Sequence, residues 1–161
     1  MVALVGPLGA GKTAFAKGLA EGLGLDPDQV ASPTFVIASE YPRARGLRFA
    51  HVDLYRVESE AELESAGFRD LLAPDVLLAV EWADRFPAAL PADRLEVRIT
   101  PIGKAAKRPR SEPQASEVRA PAGVAATHRE IFAIALGPAA AAALARFGAA
   151  RDRGAEGSER E

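Results

Sequence analysis

Gly6, Pro7, Leu8, Gly9, Ala10, Gly11, Lys12 and Thr13 fit the pattern G-x-x-x-x-G-K-[ST], and this octet restricts the fold more than anything else in the chain. Such a loop works only where an apolar strand enters it and a helix leaves it. Both flanks comply. Met1 to Val5 is a short apolar run, as a fully buried strand would be. Beyond the loop, Phe15, Leu19 and Leu23 recur every four residues, and Gly24 supplies a helix stop. From average residue frequencies, a chain of 161 residues should show the octet by chance roughly once in a few hundred sequences.

Each part of the octet has a chemical task. The glycines let backbone N–H groups turn inward around phosphate oxygens. The helix start adds the positive end of its dipole. In such loops the lysine, here Lys12, reaches the β- and γ-phosphates, and the hydroxyl, here Thr13, is a magnesium ligand. Gly6 to Thr13 is therefore the candidate nucleotide-binding set, with ATP and Mg2+ as the expected ligands. No guanine-specifying N-K-x-D run occurs in the sequence, which favours ATP over GTP.

The rest of the first two thirds reads as alternating strand and helix. "FVIASEY" and "LRFAHVD" are strand-like, and only "PRARG" separates them. That connector is too short for a parallel crossover, so an antiparallel pair is expected. Ser59 and Glu62 form an S-x-x-E box opening a short helix through Ala66. "DVLLAVEW" is uniformly apolar up to its carboxylate, and "LEVRIT" alternates as a half-exposed strand does. The expectation is an α/β fold whose central sheet mixes parallel and antiparallel strands and is flanked by helices.

A phosphate loop needs a carboxylate at the C-terminal end of a nearby strand to hold the metal or its water shell. Asp53 closes "RFAHVD" and Glu81 closes "VLLAVE". Strand periodicity does not choose between them. The apolar run before Glu81 is what a central strand would have, so Glu81 is the first choice for the metal, with Thr13. Asp53 is then placed behind it or on the attacking water. Thr34, in the "SPTF" loop, occupies the region where many nucleotide switches sense the γ-phosphate. His51 reads as a packed or edge residue, Trp82 as core filler or a site residue, and His128 as surface. Lys104, Lys107, Arg108 and Arg110 read as a solvated basic loop, or as an RNA-phosphate contact.

Composition excludes several classes. There are no cysteines, so disulfides, thiolate metal sites and a cysteine nucleophile are out. The formal charge of −2 gives no global pull toward nucleic acid or anionic lipid. No apolar run approaches the roughly 18 residues of a membrane span. The first residues lack the pattern of a signal peptide. A cytoplasmic protein without membrane contact is expected.

Taken in order, "GPLGAGKTAFAKGLAEGLG", "SPTF", "HVDLYR", "VEWADR" and a following "LP…LEVRI" strand closely resemble the TsaE (YjeE) family. The resemblance runs from about Val2 to Thr100 and implies a P-loop ATPase of bacterial tRNA modification. It implies that Gly6 to Thr13 bind the phosphates, that Thr13 and Glu81 serve the magnesium, and that Asp53 and Thr34 support hydrolysis. Trp82 belongs to the family's E-W pair. Family members act with the TsaD and TsaB proteins in making N6-threonylcarbamoyladenosine at tRNA position 37. They meet tRNA indirectly through that complex, and the carbamoyl transfer belongs to TsaD. Members usually carry a further strand and helix before the loop, where this sequence has only Met1 to Val5.

The expected division is a P-loop ATPase core over 1–102, a basic, Pro-rich loop and irregular segment over 103–137, a terminal helix over 138–150 and a disordered tail over 151–161. The alternatives are a small-molecule P-loop kinase, with Arg43, Arg45 and Arg48 as lid residues, and a non-catalytic module that uses nucleotide as a structural ligand.

Overall fold

The computed structural model describes residues 1–31, 37–44, 46–101 and 128–146. Six strands form one sheet in the order β2-β3-β4-β1-β5-β6. These are β1 (Val2–Val5), β2 (Ala38–Ala44), β3 (Leu47–Asp53), β4 (Val76–Glu81), β5 (Arg94–Pro101) and β6 (Arg129–Leu136). The inner pairs β3–β4, β4–β1 and β1–β5 are parallel, while β2–β3 and β5–β6 are antiparallel. The mixed sheet expected from the strand pattern is therefore present. So is the β2–β3 hairpin, whose first strand extends into the connector with a register shift between Tyr41 and Ala44.

β1 has only four residues yet lies at the middle of the sheet, paired on both sides. A short strand suffices there because its neighbours satisfy both rows of backbone groups. Its side chains alternate between two cores. Val2 and Leu4 join Phe49, Ala79, Val97 and Ile99 on one face; Ala3 joins Ala50, Val52, Leu78 and Val80 on the other. Full burial of each large aliphatic or aromatic member stabilises the fold by about 1.5–3 kcal/mol.

Helix α1 (Lys12–Gly22) covers the first face. Phe15, Leu19 and Leu23 pack at its margin, whereas Ala16 and Ala20 are the fully buried contacts. Small residues there let the helix press close to the sheet, which brings its N-terminus over the strand ends. The second face is covered by α2 (Glu60–Ser65) and the 3-10 turns at Phe68–Leu72 and Ala83–Arg85. Ser59 caps α2 by accepting from Glu62 N–H at 3.2 Å. The return half of the expected box lands one residue earlier, Glu62 Oε2 accepting from Glu58 N–H at 2.9 Å.

The segment expected to be irregular up to residue 137 is corrected at its end: Arg129–Leu136 is an eight-residue strand. "REIFAIAL" alternates too weakly to announce a strand, and its half-buried side chains on both faces explain why. Pairing with β5 along its whole length, from Arg94↔Leu136 to Pro101↔Arg129, makes the strand. A helix, α3, follows from 138 to 146. Asp93 caps it, accepting from Ala139 N–H and Ala140 N–H at 3.0 Å each.

Candidate functional site

The parallel strands β1, β3, β4 and β5 all point their C-terminal ends toward the start of α1, and a cleft of about 390 Å³ opens there. Its lining joins Leu8 through Thr13 to Asp53, Tyr55, Arg56, Glu81 and Trp82. Gly6 leaves β1 at φ 155°, where a Cβ would run into the Ile99 carbonyl oxygen of β5. Gly9 and Gly11 turn the loop at φ 73° and 105°. The left-handed conformation at Gly11 lets the chain enter α1 with its first N–H groups facing the cleft, free of a side-chain cap.

Thr13, first-turn residue of α1, donates its hydroxyl to Glu81 Oε1 at 2.7 Å. Glu81 is the last residue of β4, lies opposite Leu4 of β1 on one side and Asp53 of β3 on the other, and is 3% exposed. The two carboxylates weighed from sequence thus sit side by side on adjacent strand ends. Only Glu81 is hydrogen-bonded to the loop's hydroxyl. Asp53 accepts from Tyr55 N–H at 2.9 Å, which folds the chain back across the cleft rim.

His51 also reaches Glu81. Its Nε2 lies 2.8 Å from the same Oε1, with the ring fully buried and stacked on Phe49. An ionised carboxylate only accepts, so Nε2 carries the proton. The other ring nitrogen, Nδ1, is buried with no hydrogen-bond partner among the described residues. The reading of His51 as a packed residue holds, but its packing partner is the candidate metal carboxylate. Strand parity could have found it, since His51, Asp53 and Phe49 share one face of β3.

Lys12 is almost fully buried and donates to Gly6 O at 2.8 Å and Pro7 O at 3.0 Å. Its Nζ also sits 3.7 Å from the centre of the Trp82 ring, a cation–π contact. Burial lowers its pKa below the ordinary 10.5, against the opposing pull of Glu81, Asp53 and Asp84. Trp82 holds φ 57°, a left-handed conformation that a side chain this size adopts at a cost of about 1–2 kcal/mol. That twist ends β4 abruptly and turns the indole over the loop, where Tyr55 packs on it at 4.9 Å between ring centres. Arg85 anchors this rim by donating to Tyr55 O at 2.6 Å and Val57 O at 2.8 Å.

A further contact comes from β6, where Arg129 Nε donates to Ala10 O at 2.9 Å. No sequence signal pointed to it, because 119 residues separate the partners. Thr34 and the basic cluster Lys104, Lys107, Arg108 and Arg110 lie outside the described residues, as do parts of the expected domain division. Arg48, weighed as a lid residue, is tied to Glu40 at 2.8 Å and Asp75 at 3.2 Å, beside the start of β4 and away from the cleft. It is not a lid. No helix among the described residues is long and apolar enough to cross a membrane.

Hard oxygen donors on Thr13 and Glu81, set beside the buried ammonium of Lys12, fit Mg2+ and a phosphate chain rather than a soft metal. Among the described residues there is no separate group of three or more His, Cys, Asp or Glu that could hold a metal ion by itself.

Comparison with known proteins agrees with this geometry. The family model described as threonylcarbamoyl adenosine biosynthesis protein TsaE matches residues 1–109. The tRNA threonylcarbamoyladenosine biosynthesis protein TsaE of Haemophilus influenzae is 39% identical over 99 residues, covering 62% of this chain and 61% of that protein. Its namesake in Bacillus subtilis is 42% identical over 103 residues, 64% of this chain and 63% of that one. The Streptomyces coelicolor protein is 43% identical over 101 residues, 62% and 67%. The match therefore spans less than two thirds of the first two of these relatives' own length. Among solved structures, the crystal structure of Bacillus subtilis YdiB superposes with a TM-score of 0.52 at 32% identity, covering 84% of this chain and 68% of that one.

Proposed function

Because the chain belongs to the TsaE family of threonylcarbamoyl adenosine biosynthesis proteins, we propose that it is a weak Mg2+-dependent ATPase serving tRNA N6-threonylcarbamoyladenosine formation. Its turnover cycles a complex of TsaD and TsaB, and tRNA is met through that complex. The observation that carries this reading is the Thr13–Glu81 contact at 2.7 Å beside Lys12, which joins phosphate loop and strand-end carboxylate in one cleft. The relatives' names favour it over a metabolite kinase, and so does the commitment of Arg48 elsewhere.

In this reading the loop's N–H groups and Lys12 hold the phosphates. Lys12 now spends its protons on Gly6 O and Pro7 O, so phosphate oxygens replace two carbonyls rather than bulk water. Thr13 and Glu81 would hold the magnesium, which supplies charge neutralisation on the β- and γ-phosphates. His51 keeps Glu81 turned toward the cleft. Asp53, next along the sheet edge, is placed to orient the attacking water. Trp82 and Tyr55 close one side of the cleft and limit water access.

A P-loop without a further charge stabiliser hydrolyses slowly. ATP turnover by this chain alone should be low and should rise when purified TsaD, TsaB and unmodified tRNA are added. Lys12→Ala should abolish both rates. Absence of any increase with partners would count against the cycling role; absence of ATP binding would count against the nucleotide reading itself.

A further inference from the structure

The phosphate loop has an unusual support. Gly9 and Gly11 both hold positive φ, and a Cβ built at either would meet nothing within 4 Å. Ala10 between them is buried in the core, but the two glycines offer no side chain to fix their own peptides. Two sets of hydrogen bonds do. Ala10 N–H donates to Pro7 O at 3.1 Å, closing a turn. From outside, Arg129 spreads its guanidinium over the loop's back: Nε to Ala10 O at 2.9 Å, Nη2 to Gly9 O at 3.3 Å, and Nη1 to His128 O at 3.2 Å.

The topology explains how a residue so distant arrives. Arg129 opens β6 opposite Pro101, the last residue of β5, and β5 runs parallel to β1. The first residue of β6 thus stands at the edge of the sheet from which the loop departs. A planar trans peptide sets its N–H opposite its C=O. Gripping Ala10 O aims the Gly11 N–H away from Arg129, and Gly11 lines the cleft. Gripping Gly9 O aims the Ala10 N–H, which is the donor that closes the turn. A guanidinium stays charged at any working pH, and its field polarises both peptides toward stronger N–H donation on the far side.

We propose that Arg129 is a positioning residue of the phosphate loop, holding the Gly9–Ala10–Gly11 peptides in the shape that receives phosphate oxygens. This inference rests on the nucleotide reading above and makes β6, outside the matched family region of 1–109, part of the nucleotide site. The planar fork is what matters, because a lysine ammonium at that distance keeps the charge but cannot grip two successive carbonyls in one plane.

The test uses the full chain with Mg2+ and ATP or ADP. Thermal midpoints are measured with and without nucleotide for wild type, Lys12→Ala, Arg129→Ala and Arg129→Lys, and ATP turnover is fitted for KM and kcat. Arg129→Lys is expected to keep the ligand-free midpoint while losing about ten-fold in affinity for both nucleotides, with Arg129→Ala losing at least as much. The loss should fall on KM more than on kcat, as for an interaction made with bound ground state and transition state alike. Wild-type affinity in both Arg129 variants, with binding still lost in Lys12→Ala, would overturn the proposal and leave the nucleotide reading standing. A drop in ligand-free midpoint that accounts for the whole loss in both variants would also overturn it, reducing Arg129 to a strand anchor. Failure of wild type to bind either nucleotide would overturn both readings together.

Discussion

His51 Nε2 and Thr13 Oγ1 donate to the same oxygen, Glu81 Oε1, at 2.8 and 2.7 Å. One donor comes from β3 beneath the carboxylate and the other from the first turn of α1 above it. The Glu81 side chain is thereby fixed between sheet and helix.

Removing the lower donor should therefore cost more than an ordinary core hydrogen bond. His51→Phe keeps the volume and the stack on Phe49 but leaves a buried carboxylate with one donor fewer. A loss of about 1–3 kcal/mol is expected from the lost charge-assisted bond. His51→Ala adds a cavity and should lose about 2–5 kcal/mol in all. Chemical denaturation curves at neutral pH give both numbers. Equal midpoints for wild type and His51→Phe would mean that the contact is geometric only.

The adjacent carboxylates should separate by assay. Glu81→Gln removes the charge beside Thr13 and should cut ATP turnover by about a hundredfold or more while raising the Mg2+ concentration needed for binding. Asp53→Asn should cut turnover by about tenfold to a hundredfold with the Mg2+ requirement unchanged. Titrating magnesium at fixed ATP distinguishes them. If the Mg2+ requirement moves with Asp53 and not with Glu81, the two roles are exchanged.

How much of this was written in the chain depends on the range of each interaction. The octet and its flanks were legible because a phosphate loop is local: strand, glycines, lysine and hydroxyl fall within thirteen residues. Asp53 and Glu81 were legible as strand-end carboxylates, and the apolar run before Glu81 ranked it first; that β4 lies directly beside β1 became visible only in the sheet itself. β6 was missed because its alternation is weak and its stability comes from pairing with β5 along eight positions. Arg129 could not be read at all. His51 was readable by strand parity from Asp53, and its Glu81 partner became visible only once β3 and β4 were in register.

Two glycine substitutions should move stability in opposite directions. At Gly6 a Cβ collides with the Ile99 backbone carbonyl, which cannot swing aside without breaking β5. Gly6→Ala is expected to cost several kcal/mol, above the roughly 1–3 kcal/mol typical of overpacking, because the obstacle is main chain. Gly18 is exposed in the middle of α1, with nothing within 4 Å of a built Cβ. Gly18→Ala should stabilise by about 0.5–1 kcal/mol. Thermal unfolding of the two single variants checks both signs.

Trp82 is the only tryptophan, and Lys12 Nζ lies 3.7 Å from its ring centre. A phosphate chain that draws Lys12 off the indole should change the emission of this single fluorophore. Titration with Mg2+ and ATP is expected to give a saturable change in wild type. Lys12→Met, which carries no charge over the ring, should show a shifted starting spectrum and little response to nucleotide. An unchanged wild-type spectrum at a nucleotide concentration that raises the thermal midpoint would show that Lys12 stays on the ring.

The cap on α3 should open in acid. Asp93 accepts from Ala139 N–H and Ala140 N–H, and these two bonds hold its pKa below the ordinary 3.8. A carboxylate depressed on folding binds fewer protons in the folded state. Its contribution is therefore fully present above the unfolded value and is lost as pH falls through the folded one. Protection of the amides across 138–146, each rate compared with its intrinsic value at the same pH, should fall below about pH 4, ahead of the sheet amides, since carboxylates of unfolded chains titrate near that value. Asp93→Asn keeps an acceptor but removes the charge, so the helix should be less protected than in wild type at neutral pH and its protection should change little further in acid. Gly137 provides the complementary check. Its backbone presses against Asp93 so closely that a Cβ would lie 2.6 Å from the carboxyl carbon, so Gly137→Ala must displace the cap. The same low protection is then expected at every pH. If α3 in either variant remains as protected as in wild type, the helix is held by its buried Ala140 and Leu144 contacts and not by Asp93.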